Sequence, residues 1–236
     1  MRADQYLVSH GHYTSRARAQ AAIKAGLVSV DGTVLRKASS KVPDGAIVTA
    51  EQPHPYVSRG GLKLAHALDV FGIDAQGRVC LDVGSSTGGF TDVLLRAGAA
   101  HVYAVDVGRD QMDARLRGHP KITLMEGTDA RTLTSAMFAT PPDLLVCDAS
   151  FISVTKLLGP ALSLTREAVL LFKPQFEVGR DNVGRGGIVR AGVAEAEARI
   201  VDWLRGEGWR LVDRTDSPIQ GGSGNTEYLL HAAKLA

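Results

Sequence analysis

The sequence predicts an α/β protein: an open, mostly parallel sheet covered on both faces by helices, behind a small α+β head. Three observations predict it. From residue 60 onward, short apolar runs alternate with stretches of helical periodicity, as in strands joined by crossover helices. The first of these runs, "RVCLDVG", opens directly into the glycine-rich "SSTGG". The first fifty residues also differ in composition. They carry seven Lys or Arg against three acids, a balance of +4, while the remainder stands at −2.

In the head, "ADQYLVSHG" places Tyr6, Leu7 and His10 on one helical face, and Gly11 is suited to end that helix. Thr14 and Ser15 are both N-cap types ahead of "RARAQAAIKAG", a second helix ending at Gly26. "LVSVDGTVLRKASSKV" reads as two short strands around Asp31-Gly32, a hairpin signal, and "GAIVTAE" as another strand. A compact basic head fits a polyanion-binding module, and it fits a solvated basic surface as well. "EQPHPYVSRGG" then reads as a linker, because its prolines remove helix and ladder donors. The expected division is a head over 1–53, a linker over 54–59 and a body over 60–236.

In the body, "GLKLAHALDVFG" is expected to be helical, "RVCLDVG" a strand, "FTDVLLRAG" a helix and "HVYAVDVG" a strand. "ITLMEG", "DLLVCDAS" and "AVLLFKP" are further strands. "VAEAEARIVDWLRGEGW" is a long helix ending near Gly206 or Gly208, and "TEYLL" opens the last strand. In such sheets ligands sit at the carboxyl ends of the strands.

Composition narrows the function classes. No apolar stretch approaches the roughly 18 residues of a membrane helix, and "MRADQYLVSHGH" lacks the apolar core of a secretory signal. Cys80 and Cys147 each stand inside an apolar run and read as buried thiols rather than a disulfide or metal pair. The expectation is a cytoplasmic protein with no membrane partner and no metal; the oligomeric state is left open.

The glycine-rich stretch, "LDVGSSTGGFTD", suits close approach of backbone to a ligand at a helix start. A phosphate loop needs Lys after its last glycine, and Phe90 stands there. A dinucleotide fingerprint needs G-x-G-x-x-G, and the spacing is Gly84, Gly88, Gly89. Asp106 and Asp129 stand at the next two strand tips. Each acid alone reads as a helix cap, but together with the loop they favour a cofactor site.

Four further residues are candidates for chemistry. Lys63 opens the body's first helix, Asp148 follows the run "DLLVC", Lys173 ends "AVLLF" just before Pro174, and Glu227 stands at the mouth of the last strand. The plainer readings are a snorkelling lysine at 63, a cap for the next helix at 148 and an edge-strand charge at 227. Lys173 is harder to dismiss, because lysine seldom ends such an apolar run.

These motifs resemble known families. "SRARAQAAIKAGLVSVDG" is similar to the alpha-L RNA-binding domain of ribosomal small-subunit protein four, with Asp31 where that family usually has Asn and Ala38 where Pro is common. The resemblance implies phosphate contacts from Arg2, Arg16, Arg18, Lys24, Lys37 and Lys41, with Arg59 beyond the head. D-V-G-x-x-x-G-G-F resembles the S-adenosylmethionine loop of Rossmann-like class I methyltransferases. That likeness implies S-adenosyl-L-methionine as cofactor, held by Asp82, Gly84, Ser85, Ser86, Gly88, Gly89 and Phe90. Asp106 would hold its ribose and Asp129 its adenine edge, with Val107, Ala130 and Asp148 also among the cofactor contacts.

Lys63, Asp148, Lys173 and Glu227 together resemble the K-D-K-E tetrad of FtsJ-type RNA 2′-O-methyltransferases. A ribose hydroxyl must lose its proton as it attacks the methyl, so a lysine either accepts that proton or steadies the alkoxide. "YVSRGGLKL", "DASFIS", "FKPQFEVGR", "GGIVR" and "SPIQGGSGNTEY" stand in the same order as in the TlyA family of rRNA cytidine 2′-O-methyltransferases, first labelled haemolysins. The chain looks like the shorter form of that family, which is associated with the large ribosomal subunit. The resemblance therefore implies rRNA, within a ribosomal subunit, as partner. "SFIS" is expected to start the next helix, with Phe151 near the ribose.

Overall fold

The computed structural model describes residues 1–51 and 54–235. The chain divides into two compact units, 1–55 and 56–236. Gln52 and Pro53, within the expected boundary segment, lie outside the described residues.

The first unit contains α1 (Ala3–Ser9), α2 (Arg16–Lys24), β1 (Val28–Val30), β2 (Thr33–Val34) and β3 (Val48–Ala50). The strands form one antiparallel sheet in the order β2-β1-β3. Asp31 and Gly32 both have positive φ, 47° and 76°, the geometry a two-residue hairpin loop needs. Ser15 caps α2, its side chain accepting the Arg18 N–H at 3.3 Å. Leu7, Ala19, Ile23, Val28 and Val42 form the core. A carboxylate is buried beside it. Asp4 has no exposed surface and accepts from Arg2 Nε at 3.0 Å, Arg16 at 2.8 Å and Gln20 Nε2 at 2.8 Å. The Arg2 hydrogen bond first, then those of Arg16 and Gln20, hold its carboxyl well below the usual carboxylate range.

The second unit begins with α3 (Gly60–Phe71), closed by Gly72 in the left-handed region. There follow β4 (Val79–Val83), α4 (Gly89–Arg96), β5 (His101–Asp106), β6 (Ile122–Glu126) and β7 (Leu144–Cys147). Next come α5 (Val154–Leu157), α6 (Gly159–Leu164), β8 (Glu167–Phe172), α7 (Pro174–Glu177), α8 (Val193–Gly206), β9 (Trp209–Asp216) and β10 (Tyr228–Lys234). All seven strands form one sheet, ordered β6-β5-β4-β7-β8-β10-β9. β4 to β8 are parallel, and β10 runs antiparallel to both its neighbours.

The strands alternate between two cores, as period-two side chains must. Leu81, Val83, Leu145, Cys147 and Leu170 pack on one face with α5, α6 and α8. Cys80, Val102, Leu144, Val146 and Val169 pack on the other with α3 and α4. Both cysteines are free, and burial pushes each thiol up to about 12. The strand order reverses between β4 and β7, so the crevice for a ligand lies at their carboxyl ends. β9 is a strand the sequence reading leaves unassigned. It is an edge strand, buried at Trp209 and mostly exposed beyond, so no apolar run marks it.

Candidate active site

The loop after β4 is fixed from several sides. Gly84 and Ser85 both donate their N–H to the Val105 carbonyl, at 2.9 and 3.1 Å. Gly84 has φ +82°, and a Cβ there would stand 2.9 Å from the backbone of Ala149, so only glycine fits. Gly88, at φ +91°, gives α4 its start, and a Cβ there would strike Leu116 and Met112 at 2.5 Å. Both oxygens of Asp106 accept backbone amides, Ser86 N–H at 2.8 Å and Gly108 N–H at 2.7 Å. Asp106 therefore ties the tip of β5 to the glycine-rich loop.

Asp82 lies beneath this loop and reaches neither cavity described below. It has no exposed surface, and one oxygen accepts from Thr91 Oγ1 at 2.6 Å while the other has no partner. Burial is the main cause that pushes its carboxyl up to about 7. Asp82 was expected among the cofactor contacts; its place is behind the loop, supporting it through Thr91 on α4.

Two cavities open at the strand ends. One, of about 470 Å³, is lined by the loop at Gly84 and Ser86, by Asp106 and Val107, and by Asp129 and Ala130. Val107 is 76% exposed there, an apolar surface offered to a ligand. Asp129 caps a single 3-10 turn, and its contacts with Arg131, the closest at 2.6 Å, hold its carboxyl at about 2. The other cavity, of about 450 Å³, holds Lys63, Lys173 and Glu227, with Ser85, Gly89 and Phe90 in its wall. Asp148, Ser150 and Phe151 line both. Volumes of this size suit small-molecule sites.

The four charged candidates meet in the second cavity as two ion pairs. Lys63 Nζ lies 2.5 Å from Glu227 Oε2, with side chains 10% and 3% exposed. Lys173 Nζ lies 2.6 Å from Asp148 Oδ1, an ionic contact off the hydrogen-bond direction. The same ammonium donates to Ser150 Oγ at 2.7 Å and to the Asp148 carbonyl at 3.2 Å. Buried charges survive only when paired in this way. Local sequence places each one. Lys63 is in the first turn of α3, Asp148 directly follows β7, Lys173 sits between β8 and Pro174 of α7, and Glu227 directly precedes β10.

Asp148 is thus not the cap of the next helix. Ser153 is, its hydroxyl accepting from Thr155 N–H at 3.3 Å and donating to Glu177 at 2.7 Å. Helix α5 starts at Val154, so "SFIS" precedes it instead of opening it. Phe151 has φ +68° and is 90% exposed, with its ring 5.3 Å from that of Phe176. A bulky residue held in the left-handed region stores strain, which is most often found at functional positions.

The basic candidates divide. Arg2 and Arg16 are fastened to Asp4, Arg18 is half-buried, and Lys24, Lys37 and Lys41 are exposed. Arg59 belongs to the second unit, where it precedes α3 and lines the cavity of the ion pairs. The sequence reading did not single out Ser150, Gln175 or Phe176, all of which line that cavity. Ser150 stood inside the quoted "DASFIS", but no pattern marks a serine as a lysine's partner.

Comparisons with known proteins agree with this geometry. The FtsJ-like methyltransferase model matches residues 56–234, and the S4 domain model matches 1–48. Hemolysin A of Brachyspira hyodysenteriae is 41% identical across 98% of this chain and 99% of its own length. The 16S/23S rRNA (cytidine-2'-O)-methyltransferase TlyA of Mycobacterium tuberculosis is 44% identical across 97% of this chain and 88% of its own. A solved structure of a hemolysin candidate from Streptococcus thermophilus superposes with a TM-score of 0.78 at 36% identity, covering 100% of this chain and 88% of that one. No helix among the described residues is long and apolar enough to cross a membrane. With a methyltransferase domain that holds both ion pairs and an S4 domain ahead of it, this chain belongs to the FtsJ-like methyltransferase family, in its TlyA branch.

Proposed function

We propose that the chain transfers a methyl group from S-adenosyl-L-methionine to the 2′-hydroxyl of a cytidine ribose in rRNA, with the large-subunit 23S rRNA as substrate. The observation that carries this reading is the pair of adjoining cavities that share Asp148 and Phe151, one suited to a cofactor and one holding the paired lysines. The name of the Mycobacterium tuberculosis relative gives the cytidine 2′-oxygen of both 16S and 23S rRNA, and that of a Campylobacter jejuni relative, 42% identical across 76% of this chain, gives 23S alone, which supports the large subunit.

The cofactor cavity fits the group on its own residues. Gly84 brings bare backbone to the ligand, Val107 offers an apolar platform, and Asp106, fixed by two backbone amides, lines the cavity as an acceptor for ribose hydroxyls. When bound, S-adenosyl-L-methionine supplies a methyl on a positively charged sulfur that leaves as a neutral thioether. The chain's part is placement and proton handling. Lys173 first releases its own proton to solvent and, as the neutral amine, takes the 2′-hydroxyl proton; Asp148 holds the ammonium so formed. Lys63 orients the ribose, and Glu227 keeps that lysine in place. Phe151, exposed between the cavities, stacks the base.

The test is methyl transfer from labelled cofactor to unmethylated ribosomal subunits, followed by nuclease mapping. Label is expected on a cytidine ribose of the large subunit, with a loss of about 100-fold or more in Lys173→Ala. Transfer to a base, or only to protein, overturns the reading. The name of the Brachyspira relative adds a control: red-cell lysis that persists in Lys173→Ala would point to a membrane activity instead.

A further inference from the structure

Between α7 and α8 lies a segment that the four charged residues do not explain. Residues 179–192 carry three arginines, Arg180, Arg185 and Arg190, against one acid, Asp181. All three arginines are exposed, and none forms an ion pair among the described residues. What distinguishes them is that three such arginines stand within eleven residues of one another, against a single acid.

The segment is built, not merely exposed. Val183 and Val189 form an antiparallel bridge, the Gly184 N–H donates to the Ile188 carbonyl at 2.7 Å, and the Arg190 N–H donates to the Asn182 carbonyl at 2.9 Å. The result is a small hairpin with Arg185 at its tip. Arg190 lies flat over the hairpin, with Nε 2.5 Å from where a Gly184 Cβ would stand. Asn225, only 7% exposed, clamps the hairpin to the loop before β10. Its Oδ1 accepts from Val189 N–H at 2.9 Å, and its Nδ2 donates to the Gly187 carbonyl at 2.7 Å.

Both anchors lead to the candidate active site. At one end the chain comes straight from α7, whose N-cap is Lys173. At the other, Asn225 stands two residues before Glu227, and its neighbour Ser223 lines the cavity of the ion pairs. A Cβ on Gly187 would lie 3.6 Å from Ser223 Oγ. The hairpin is therefore tied to a loop that lines that cavity, and it follows the helix whose N-cap is Lys173.

We infer that this hairpin is a second RNA-binding element, within the methyltransferase unit itself. Arg180 and Arg185 neutralise phosphates beside the nucleotide whose ribose enters the cavity. Free guanidiniums on a fixed scaffold grip phosphate at low entropic cost. The S4 domain gives affinity for the RNA as a whole, and the hairpin sets the register of the strand at the site. Asn225 is its positioning residue, linking the grip on phosphate to the loop that carries Glu227. The inference rests on the rRNA reading above.

The experiment compares the full chain with Arg180→Gln/Arg185→Gln and with Asn225→Ala on unmethylated large ribosomal subunits. Binding is read at several salt concentrations, and methyl transfer is read as kcat and KM. Losing two phosphate contacts should flatten the salt slope by about one per arginine and raise KM for the subunit about tenfold. Affinity for S-adenosyl-L-methionine and the melting temperature of the double variant should stay at wild-type values. Asn225→Ala should raise KM with both arginines still present. A double variant with wild-type slope and KM, beside an active wild type, overturns the hairpin's role alone. A wild type that neither binds nor methylates the subunit overturns the rRNA reading and this inference with it.

Discussion

Asp82 shows how one buried side chain sets a pH response. Its carboxyl is pushed up to about 7 from an ordinary 3.8, mainly by burial. A carboxyl with a raised value in the fold favours the folded state when protonated. That contribution is full below about pH 4 and is lost as pH rises towards 7. The cost at pH 8 is up to about 4 kcal/mol. Urea unfolding of Asp82→Asn should therefore show a flatter loss of stability between pH 4 and 8 than the wild type. An unchanged slope would mean that Asp82 is charged in the fold. Gly84 gives a second prediction at this scale. Gly84→Ala puts a methyl against Ala149 and strains φ at +82°, which costs about 1–3 kcal/mol. The variant should lose cofactor affinity, measured by calorimetry, well before it loses its fold. Much at this scale was legible in the sequence. Asp148, Lys173 and Glu227 stand out as charges at strand ends and Lys63 as a lysine opening a helix, and the four meet in pairs. Asp4 was not legible, since an acid in a first turn reads as an ordinary helix start and nothing local reveals that two arginines will close over it. Asp82 shares its motif with residues that line the cavities, but its burial depends on Thr91 of α4, a packing partner that the motif does not describe.

Among the elements, the short ones decide the site. α7 is only four residues long, yet it joins the lysine at its start to a carboxylate at its end. Glu177 accepts from Ser153 Oγ at 2.7 Å and from Val154 N–H at 2.8 Å, so it binds α7 to the start of α5. That places Phe176 against Phe151. Glu177→Ala should cost about 1–2 kcal/mol in thermal stability, because a buried backbone N–H loses its partner. It should also lower kcat/KM for RNA more than it lowers affinity for S-adenosyl-L-methionine. Equal losses in both would show that α7 supports the fold in general. The strands β4, β5, β7 and β8 are readable because strands buried on both faces must be mostly apolar. α7 and β9 are not, because a single turn lacks periodicity and a charged edge strand resembles a loop.

For the whole molecule, charge is the organising quantity. The first fifty residues carry +4 and the rest −2, so net charge alone hides a basic S4 domain. Replacing Arg18, Lys24 and Lys37 by Gln should weaken rRNA binding and reduce its salt dependence, with cofactor affinity unchanged. Equal loss of both would assign these residues a structural role. The order of domains is legible from composition and prolines. The anchoring of Arg16 to Asp4 is not, because it depends on the packing of α1 against α2.

The pairing of Lys63 with Glu227 spans 164 residues, and it has a consequence for folding. β9 pairs in the sheet with β10, which lies between it and β8. The residue directly before β10 is Glu227, the partner of Lys63. A chain still lacking β10 therefore holds an uncompensated buried lysine, an open sheet edge and an unclamped hairpin at once. Closure of the sheet and pairing of the buried Lys63 thus depend on the same strand and the residue directly before it.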